Sequence, residues 1–231
     1  MRLAVIPARG GSKRIPRKNI RPFAGRPMIT HAIGAALASE VFDQVIVSTD
    51  DAEIAEIARV AGAEVPFTRP AELADDITPT VPVIAHAINA LMAAGLTPAQ
   101  VCCIYPGVPL LSPQDLVQGL ELLKQAGQGY AFPVTPFPSP IQRALRRHED
   151  GRTEPFDARH VGTRTQDLEP AYHDSGQFYW GATPSWLGGL NIHQNARTFV
   201  IPEWRCVDID TLDDWLRAEA LYGVLHAKDH P

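Results

Sequence analysis

Short apolar runs alternate with longer amphipathic stretches along most of the chain. Leu3-Ala4-Val5-Ile6, Val45-Ile46-Val47 and Val101 to Ile104 are unbroken apolar segments, each of the length expected for a strand buried on both faces. Between them, apolar positions recur at helical spacing. Met28 to Leu37 is Ala-rich and amphipathic, Asp51 to Val60 puts Ile54, Ile57 and Ala61 on one face, and Val81 to Met92 and Leu116 to Leu123 continue the series. Pro27 and Pro113 suit first-turn positions, with Ser112 as a cap. Strand, helix, strand repeated in this way predicts an α/β fold: a doubly wound, mostly parallel sheet with helices on both faces.

The pattern breaks after the apolar segment Tyr130 to Val134. Pro133, Pro136, Pro138 and Pro140 follow in close succession, and six Arg lie between Arg143 and Arg164. An excursion of this length inside a compact domain is more often functional than idle, so residues 136–172 read as an arm or β-rich subdomain inserted into a single domain spanning 1–231. Its Pro-rich chain and the nearby Phe132, Phe137 and Phe156 suit packing on a partner better than exposure to water. Gln177 to Ala182 resumes a strand-like pattern, and Thr211 to His226 closes the chain with an amphipathic helix carrying Leu212, Trp215, Leu216, Leu221 and Leu225.

Composition narrows the class. The 231 residues are 45% hydrophobic and hold 3 Cys, which suits one globular domain and excludes a disordered chain or a disulfide scaffold. Cys102, Cys103 and Cys206 form no CxxC pair and read as core thiols in a reducing compartment. No apolar run approaches a membrane span, and the Leu3 to Ala8 run is too short for a signal-peptide core, so a cytoplasmic protein is expected. The net charge of -5 hides an asymmetry, because the first 39 residues carry eight Lys or Arg and no acid. One cationic segment on an acidic body argues against nucleic acid, which needs an extended basic face, and suits a small, multiply charged anion.

That segment lies where ligands bind in open α/β sheets, just past the carboxyl end of the first strand. It reads Pro7-Ala8-Arg9-Gly10-Gly11-Ser12-Lys13-Arg14-Ile15-Pro16-Arg17-Lys18-Asn19. Adjacent glycines let backbone N–H groups approach a phosphate, Ser12 adds a hydroxyl, and Arg9, Lys13 and Lys18 supply charge for a triphosphate. Neither GxxxxGK[ST] nor GxGxxG is present, so a Walker loop and a dinucleotide fold are unsupported. Asp208 and Asp210 lie two apart in an extended-looking segment, which points both carboxylates to one face. Such a pair suits Mg²⁺ against phosphate oxygens, and Asp210 onward equally suits the cap of the final helix. Asp50 reads as an N-cap that Asp51 could share. His31, His86 and His226 fall in helical stretches and read as structural or surface residues. His173, beside Asp174 and before a Gly, is the exception.

The basic loop resembles the signature of the cytidylyltransferases that activate sialic-acid-type, nine-carbon (nonulosonic) sugars. Val47-Ser48-Thr49-Asp50, Arg69-Pro70-Ala71-Glu72-Leu73-Ala74-Asp75-Asp76, the Tyr105 to Leu110 loop and Asp208-Ile209-Asp210-Thr211 agree with that family in order and spacing. The resemblance implies a nucleotide-diphospho-sugar transferase-like fold and an enzyme that joins such a sugar to CTP, yielding a CMP-sugar and pyrophosphate. It further implies that Ala8, Arg9, Gly11, Ser12, Lys18 and Asn19 hold the CTP, that Arg69 and Asp76 lie near the base and ribose, and that Asp208 and Asp210 hold Mg²⁺, with Arg9 and Lys18 on the leaving pyrophosphate. The family's dimers imply a homodimer built by the arm, with Arg164 acting on the neighbour's sugar site.

Two stretches depart from the sialic acid pattern. Gln-Pro-Thr-Ser-Pro-Leu-Arg is replaced here by Tyr105 to Leu111, and Arg-Pro-Asn-Gly by His173-Asp174-Ser175-Gly176. Together with Gln177-Phe178-Tyr179-Trp180 they resemble the branch that makes CMP-pseudaminic acid. Tyr105, His173, Gln177, Phe178 and Tyr179 are therefore expected to contact the sugar. Three alternatives stay open: the same reaction on N-acetylneuraminic acid, an enzyme for an eight-carbon ulosonic acid or a polyol phosphate, and a nucleotide sensor without metal chemistry.

Overall fold

The computed structural model describes residues 1–194 and 196–226. In chain order the elements are β1 (Arg2–Pro7), a small hairpin β2 (Pro22–Phe23) and β3 (Arg26–Pro27), α1 (Ile29–Ala38), β4 (Gln44–Ser48), α2 (Ala52–Val60), α3 (Thr80–Ala93), β5 (Gln100–Ile104), α4 (Pro113–Ala126) and β6 (Tyr130–Pro136). The excursion contributes a hairpin, β7 (Leu145–Arg147) with β8 (Thr153–Pro155), among short 3₁₀ turns. Then come β9 (Tyr172–Asp174), β10 (Phe178–Ala182), α5 (Thr183–Leu187), β11 (Arg197–Val200) and α6 (Leu212–His226).

Seven strands form one sheet in the order β11-β6-β10-β5-β1-β4, with β9 also on β6. β1 pairs in parallel with β4 and β5, and β6 with β11. β10 runs antiparallel between β5 and β6, so the sheet is mixed and mostly parallel. Leu3 to Ile6 are fully buried because the sheet is covered on both sides. Ala4 and Ile6 pack with Ile29, Ile33, Ile54 and Leu116 from α1, α2 and α4. Leu3 and Val5 face Ile84, Ile88 and Leu91 of α3, with Trp186 of α5. Among the described residues no helix is long and apolar enough to cross a membrane.

The helix ends show where local chemistry decides and where it does not. Asp51, not Asp50, caps α2, its Oδ1 accepting from the N–H groups of Glu53 and Ile54. Pro27 belongs to the β2–β3 hairpin rather than to the first turn of α1. Ser112 stands at the N-cap of α4 and Pro113 in its first turn, but the Ser112 hydroxyl donates to Gln114 Oε1 and makes no cap bond. At α6 Thr211 and Asp214 form a reciprocal box: Asp214 Oδ2 accepts from the N–H of Thr211 at 2.8 Å, and Thr211 Oγ1 accepts from the N–H of Asp214 at 3.2 Å. The side chains of Asp208 and Asp210 are thereby released from capping.

A third, smaller cluster holds the outer loops together. Ile15 from the basic loop, Phe23 from the hairpin, Met28 at the start of α1, Ile209, and Trp215 and Ala218 of α6 are all buried in it. His31 joins from α1, its ring edge-on to Phe23 and Tyr222. Its Nε2–H donates to the Phe23 carbonyl and its Nδ1 accepts from Arg26, so the neutral ring fits the site. Burial, opposed by that carbonyl, pushes its pKa down to about 4.

Candidate active site

A cleft of about 650 Å³ opens at the carboxyl ends of β1, β4 and β5, where a ligand is expected in such a sheet. The basic loop forms one wall. Gly10 must be glycine there, because a Cβ would lie 2.7 Å from Asp51 Oδ2, and its N–H donates to Asp50 Oδ1 at 3.0 Å. Asp50 thus pins the loop to the end of β4 while Asp51 caps the helix. Asn19, itself buried, braces the turn by donating from Nδ2 to the Arg9 carbonyl at 3.0 Å. Arg17 takes a left-handed conformation (φ 56°), stabilised where its guanidinium bridges Asp51 and Glu53.

Each of the loop's cations has a partner on the protein. Arg9 pairs with Asp76 and also donates to the Asp75 carbonyl, and Lys13 pairs with the same Asp76. Arg14 holds Asp210 at 2.5 Å. Lys18 Nζ donates to the Ile209 carbonyl at 2.6 Å and lies 3.7 Å from Asp210. The two cations hold the Asp76 carboxyl below the usual carboxylate range. The cleft is therefore a set of positive groups already fixed in place by carboxylates that an anion can replace.

Arg69 is the opposite of a surface arginine: it is 5% exposed. Its Nε donates to Ser48 Oγ at 3.1 Å and its Nη2 to the Ser48 carbonyl, so it caps the end of β4 and lines the cleft. Burial lowers its pKa to about 10, with Asp50 opposing, and it stays charged at neutral pH. Opposite it, Tyr105 OH and Thr80 Oγ1 share a hydrogen bond of 2.7 Å. Burial pushes the Tyr105 phenol up to about 12.

A second cavity of about 350 Å³ lies beyond Asp208 and is lined by Thr135, Pro138, His173 to Gly176, Glu203, Cys206, Val207, Asp208, Asp214 and Arg217. The Asp208–Asp210 segment separates it from the cleft, with Asp208 on the second cavity and Ile209 and Asp210 bonded to the cleft's Lys18 and Arg14. Burial and the charge of Asp210 raise the Asp208 pKa, against the pull of Lys18 and Arg14. Two carboxylates of which one raises the other's pKa are a donor set that suits a hard divalent cation. Among the described residues no three His, Cys, Asp or Glu side chains converge on one point, so such a cation would take its remaining ligands from substrate and water.

The expected residues do not all converge. Arg9, Ser12, Lys18, Asn19, Arg69, Asp76 and Tyr105 line the cleft. Ala8 lies beneath it with its side chain in the core and its N–H on the Ser48 carbonyl, and no other group approaches a Cβ placed on Gly11. Asp76 stands against Arg9 and Lys13. His173 lines the second cavity, its Nδ1–H donating to the Asp174 carbonyl. Phe178 corrects the expectation of sugar contact: it is fully buried against α4, where a Cβ on Gly119 would lie 2.8 Å from its ring. The alternation along β10 sends Phe178 and Trp180 to that face and Tyr179 to the other. Gln177 is buried, donating to the Arg205 carbonyl, and Tyr179 reaches the second cavity only through its 2.7 Å bond to Asp174 Oδ2. Arg164 pairs with Asp167 on the arm's surface and lines neither cavity.

Sequence reasoning passed over Asp174, whose Oδ1 accepts from the Gly176 N–H and whose Oδ2 accepts from Tyr179 and His193. It also passed over Thr80, Thr135 and Ser175. Nothing local marks these residues, because strand pairing and loop packing bring them to the cavities from separate segments.

Comparison with known proteins agrees with this arrangement. A family profile described as cytidylyltransferase matches residues 3–159. The chain is 43% identical over 225 residues, 97% of each chain, to the pseudaminic acid cytidylyltransferase of Campylobacter jejuni. It is 30% identical over 229 residues, 95% of each, to the CMP-N,N'-diacetyllegionaminic acid synthase of Legionella pneumophila. A CMP:2-keto-3-deoxy-manno-octonic acid synthetase complexed with CTP shares the fold at a TM-score of 0.70 over 99% of both chains, with 18% identity.

Proposed function

Since this chain belongs to the cytidylyltransferase family, we propose that it activates a nonulosonic acid of the pseudaminic type with CTP. The anomeric hydroxyl oxygen bonds to the α-phosphorus, the bond from that phosphorus to the bridging oxygen of the β-phosphate breaks, and pyrophosphate leaves as the hydroxyl proton is released. The observation that carries the reading is the cleft itself, lined by four cations of one loop, Arg9, Lys13, Arg14 and Lys18, fixed at the carboxyl ends of three parallel strands. A triphosphate entering it exchanges with Asp76 for Arg9 and Lys13. Arg9 and Lys18 then hold charge that grows on the departing pyrophosphate. Buried Arg69 and the Thr80–Tyr105 pair shape the far wall.

Mg²⁺ held by Asp208 and Asp210 would supply neutralising charge at the α-phosphate. The fit rests on two carboxylates freed from capping by the Thr211–Asp214 box, with burial and then the charge of Asp210 raising the pKa of Asp208. With the pair so occupied, Arg14, which now holds Asp210, would be free to bind the phosphates. The sugar sits on the other side of this segment, toward the second cavity.

The same reading includes a homodimer through residues 136–172. In its favour, Phe137, Ile141, Leu145, Phe156 and Val161 of that segment are exposed, Phe156 by 63%. Arg164, remote from its own chain's cavities, acts on the neighbour's sugar. Sedimentation at micromolar concentration should give twice the 25.2 kDa chain mass, and a monomer would remove this part. Mixing Arg164→Ala chains with Lys18→Ala chains should restore turnover only if sites are shared.

The deciding assay is pyrophosphate release with CTP, Mg²⁺ and either pseudaminic acid or N-acetylneuraminic acid. The expected result is a higher kcat/KM for pseudaminic acid and little release with ATP. Absence of release with any nonulosonic acid would overturn the proposal.

A further inference from the structure

The second cavity holds polar groups that the folded chain leaves unused. Thr135 Oγ1 and Ser175 Oγ are buried and make no hydrogen bond among the described residues, although the two residues are 0% and 4% exposed and both line the cavity. Gln177 Oε1, two residues beyond Ser175, is also buried and unpaired. Leaving a buried hydroxyl unpaired costs roughly 1–3 kcal/mol, so native proteins rarely tolerate it without a partner from outside the chain. Here the two hydroxyls come from neighbouring segments: Thr135 pairs in register with His173 across β6 and β9, and the Ser175 N–H donates to the Pro133 carbonyl. Backbone pairing fixes both, so neither is a loose surface rotor.

Charge restricts what enters. The lining carries the carboxylates Asp174, Glu203, Asp208 and Asp214 against one guanidinium, Arg217, and the His173 ring. Such a wall disfavours a carboxylate and accepts N–H and O–H donors. A nonulosonic acid has one charged end, the C1 carboxylate beside the reacting anomeric centre, and a neutral end carrying hydroxyl and acylamino groups. Asp174 is well placed for the neutral end, since Gly176, Tyr179 and His193 hold its carboxylate and Oδ1, bonded only to the Gly176 N–H, has a further lone pair.

Resting on the cytidylyltransferase reading above, we infer that Thr135 and Ser175 are specificity-determining residues, their unpaired hydroxyls bonding the neutral acylamino-bearing end of the sugar. A site whose buried polar groups are satisfied only by the correct substrate discriminates strongly against analogues that leave them unpaired.

The test compares Thr135→Val, nearly the same shape without the hydroxyl, Ser175→Ala, and Thr135→Ser, which restores a hydroxyl. Thr135→Val and Ser175→Ala should each lower kcat/KM for pseudaminic acid by about tenfold, the value of one such bond, and narrow the preference over N-acetylneuraminic acid. KM for CTP should stay unchanged, and thermal stability without sugar should stay level or rise, since an unpaired buried group has been removed. Thr135→Ser should recover most of the loss. An unaltered kcat/KM for the sugar, or a fall in stability accompanied by equal losses for CTP and sugar, overturns the inference. If the native enzyme releases pyrophosphate while the variants match it, this inference alone fails; if the native enzyme releases none with any nonulosonic acid, the cytidylyltransferase reading fails with it.

Discussion

The two cavities on either side of the Asp208–Asp210 segment are prepared for ligands in opposite ways. In the cleft every loop cation is bound to a carboxylate or carbonyl of the protein, whereas in the second cavity two hydroxyls have no partner among the described residues. The difference follows from the cost of holding each kind of group ready. Five cations on one loop repel one another and would scatter unless acids held them, and those acids give way to a triphosphate with its larger charge. A hydroxyl repels nothing. It can be kept unpaired at modest cost, and that cost is returned when the right neutral group arrives.

The largest expected effect tests the boundary between the two. Asp208→Asn should cut turnover by about a thousandfold, on the order of 4 kcal/mol in the barrier, with little loss of fold because α6 is capped by Thr211 and Asp214. Full activity with ordinary Mg²⁺ dependence would take the carboxylate pair out of the reaction. Next comes the ion pair that anchors the segment carrying Glu203 and Cys206 of the second cavity to α4. Arg205 grips Asp115 of α4 through Nη1 at 2.5 Å and Nη2 at 3.2 Å, and Asp115 is 5% exposed. Removing the buried member strands a half-buried Arg205, so Asp115→Ala should destabilise by about 1–3 kcal/mol in urea unfolding. A change below 1 kcal/mol would mean that water reaches Arg205 freely.

His31 gives an effect of the same order, confined to a defined pH window. Its folded pKa of about 4 lies below the ordinary 6.5, so the unfolded chain binds the proton more readily. Stability from this site is complete above about pH 6.5 and is lost as pH falls toward 4, by on the order of 2–3 kcal/mol. His31→Gln, which keeps a donor for the Phe23 carbonyl, should flatten stability against pH in that window, and an unchanged slope would refute the assignment. The smallest effect is Asp76→Asn. If Asp76 chiefly occupies Arg9 and Lys13 until CTP arrives, its neutralisation should lower KM for CTP a few-fold; a higher KM would place Asp76 on the nucleotide instead.

Legibility in the sequence followed the same division. The cleft is built around one contiguous stretch, and Gly10, Arg9 and Lys18 announce it because their chemistry is local. The buried parallel strands were equally plain, since Leu3 to Ile6 and Val101 to Ile104 have no polar side. The second cavity was not legible: Thr135 and Ser175 are ordinary until β6 and β9 pair, and Phe178 suggested a ligand contact until the pleat of β10 turned it toward Gly119. Asp50 and Asp51 show the limit in miniature. Either could cap a helix, and only the approach of Gly10 settles that Asp50 holds the loop.

The placement of β10 has a consequence for how the chain is made. β5 and β6 never touch each other as strands, because β10 lies between them, and its residues emerge roughly seventy positions after β5, on the order of 4–14 s later at ribosomal speed. During that interval Val101-Cys102-Cys103-Ile104 presents one bare edge with nothing beside it, the kind of template that recruits other nascent chains. The whole excursion must be synthesised before the sheet can close, so its long-range pairing makes folding slow. Yield in a host cell should therefore depend on chaperone supply more steeply than the finished protein's stability suggests.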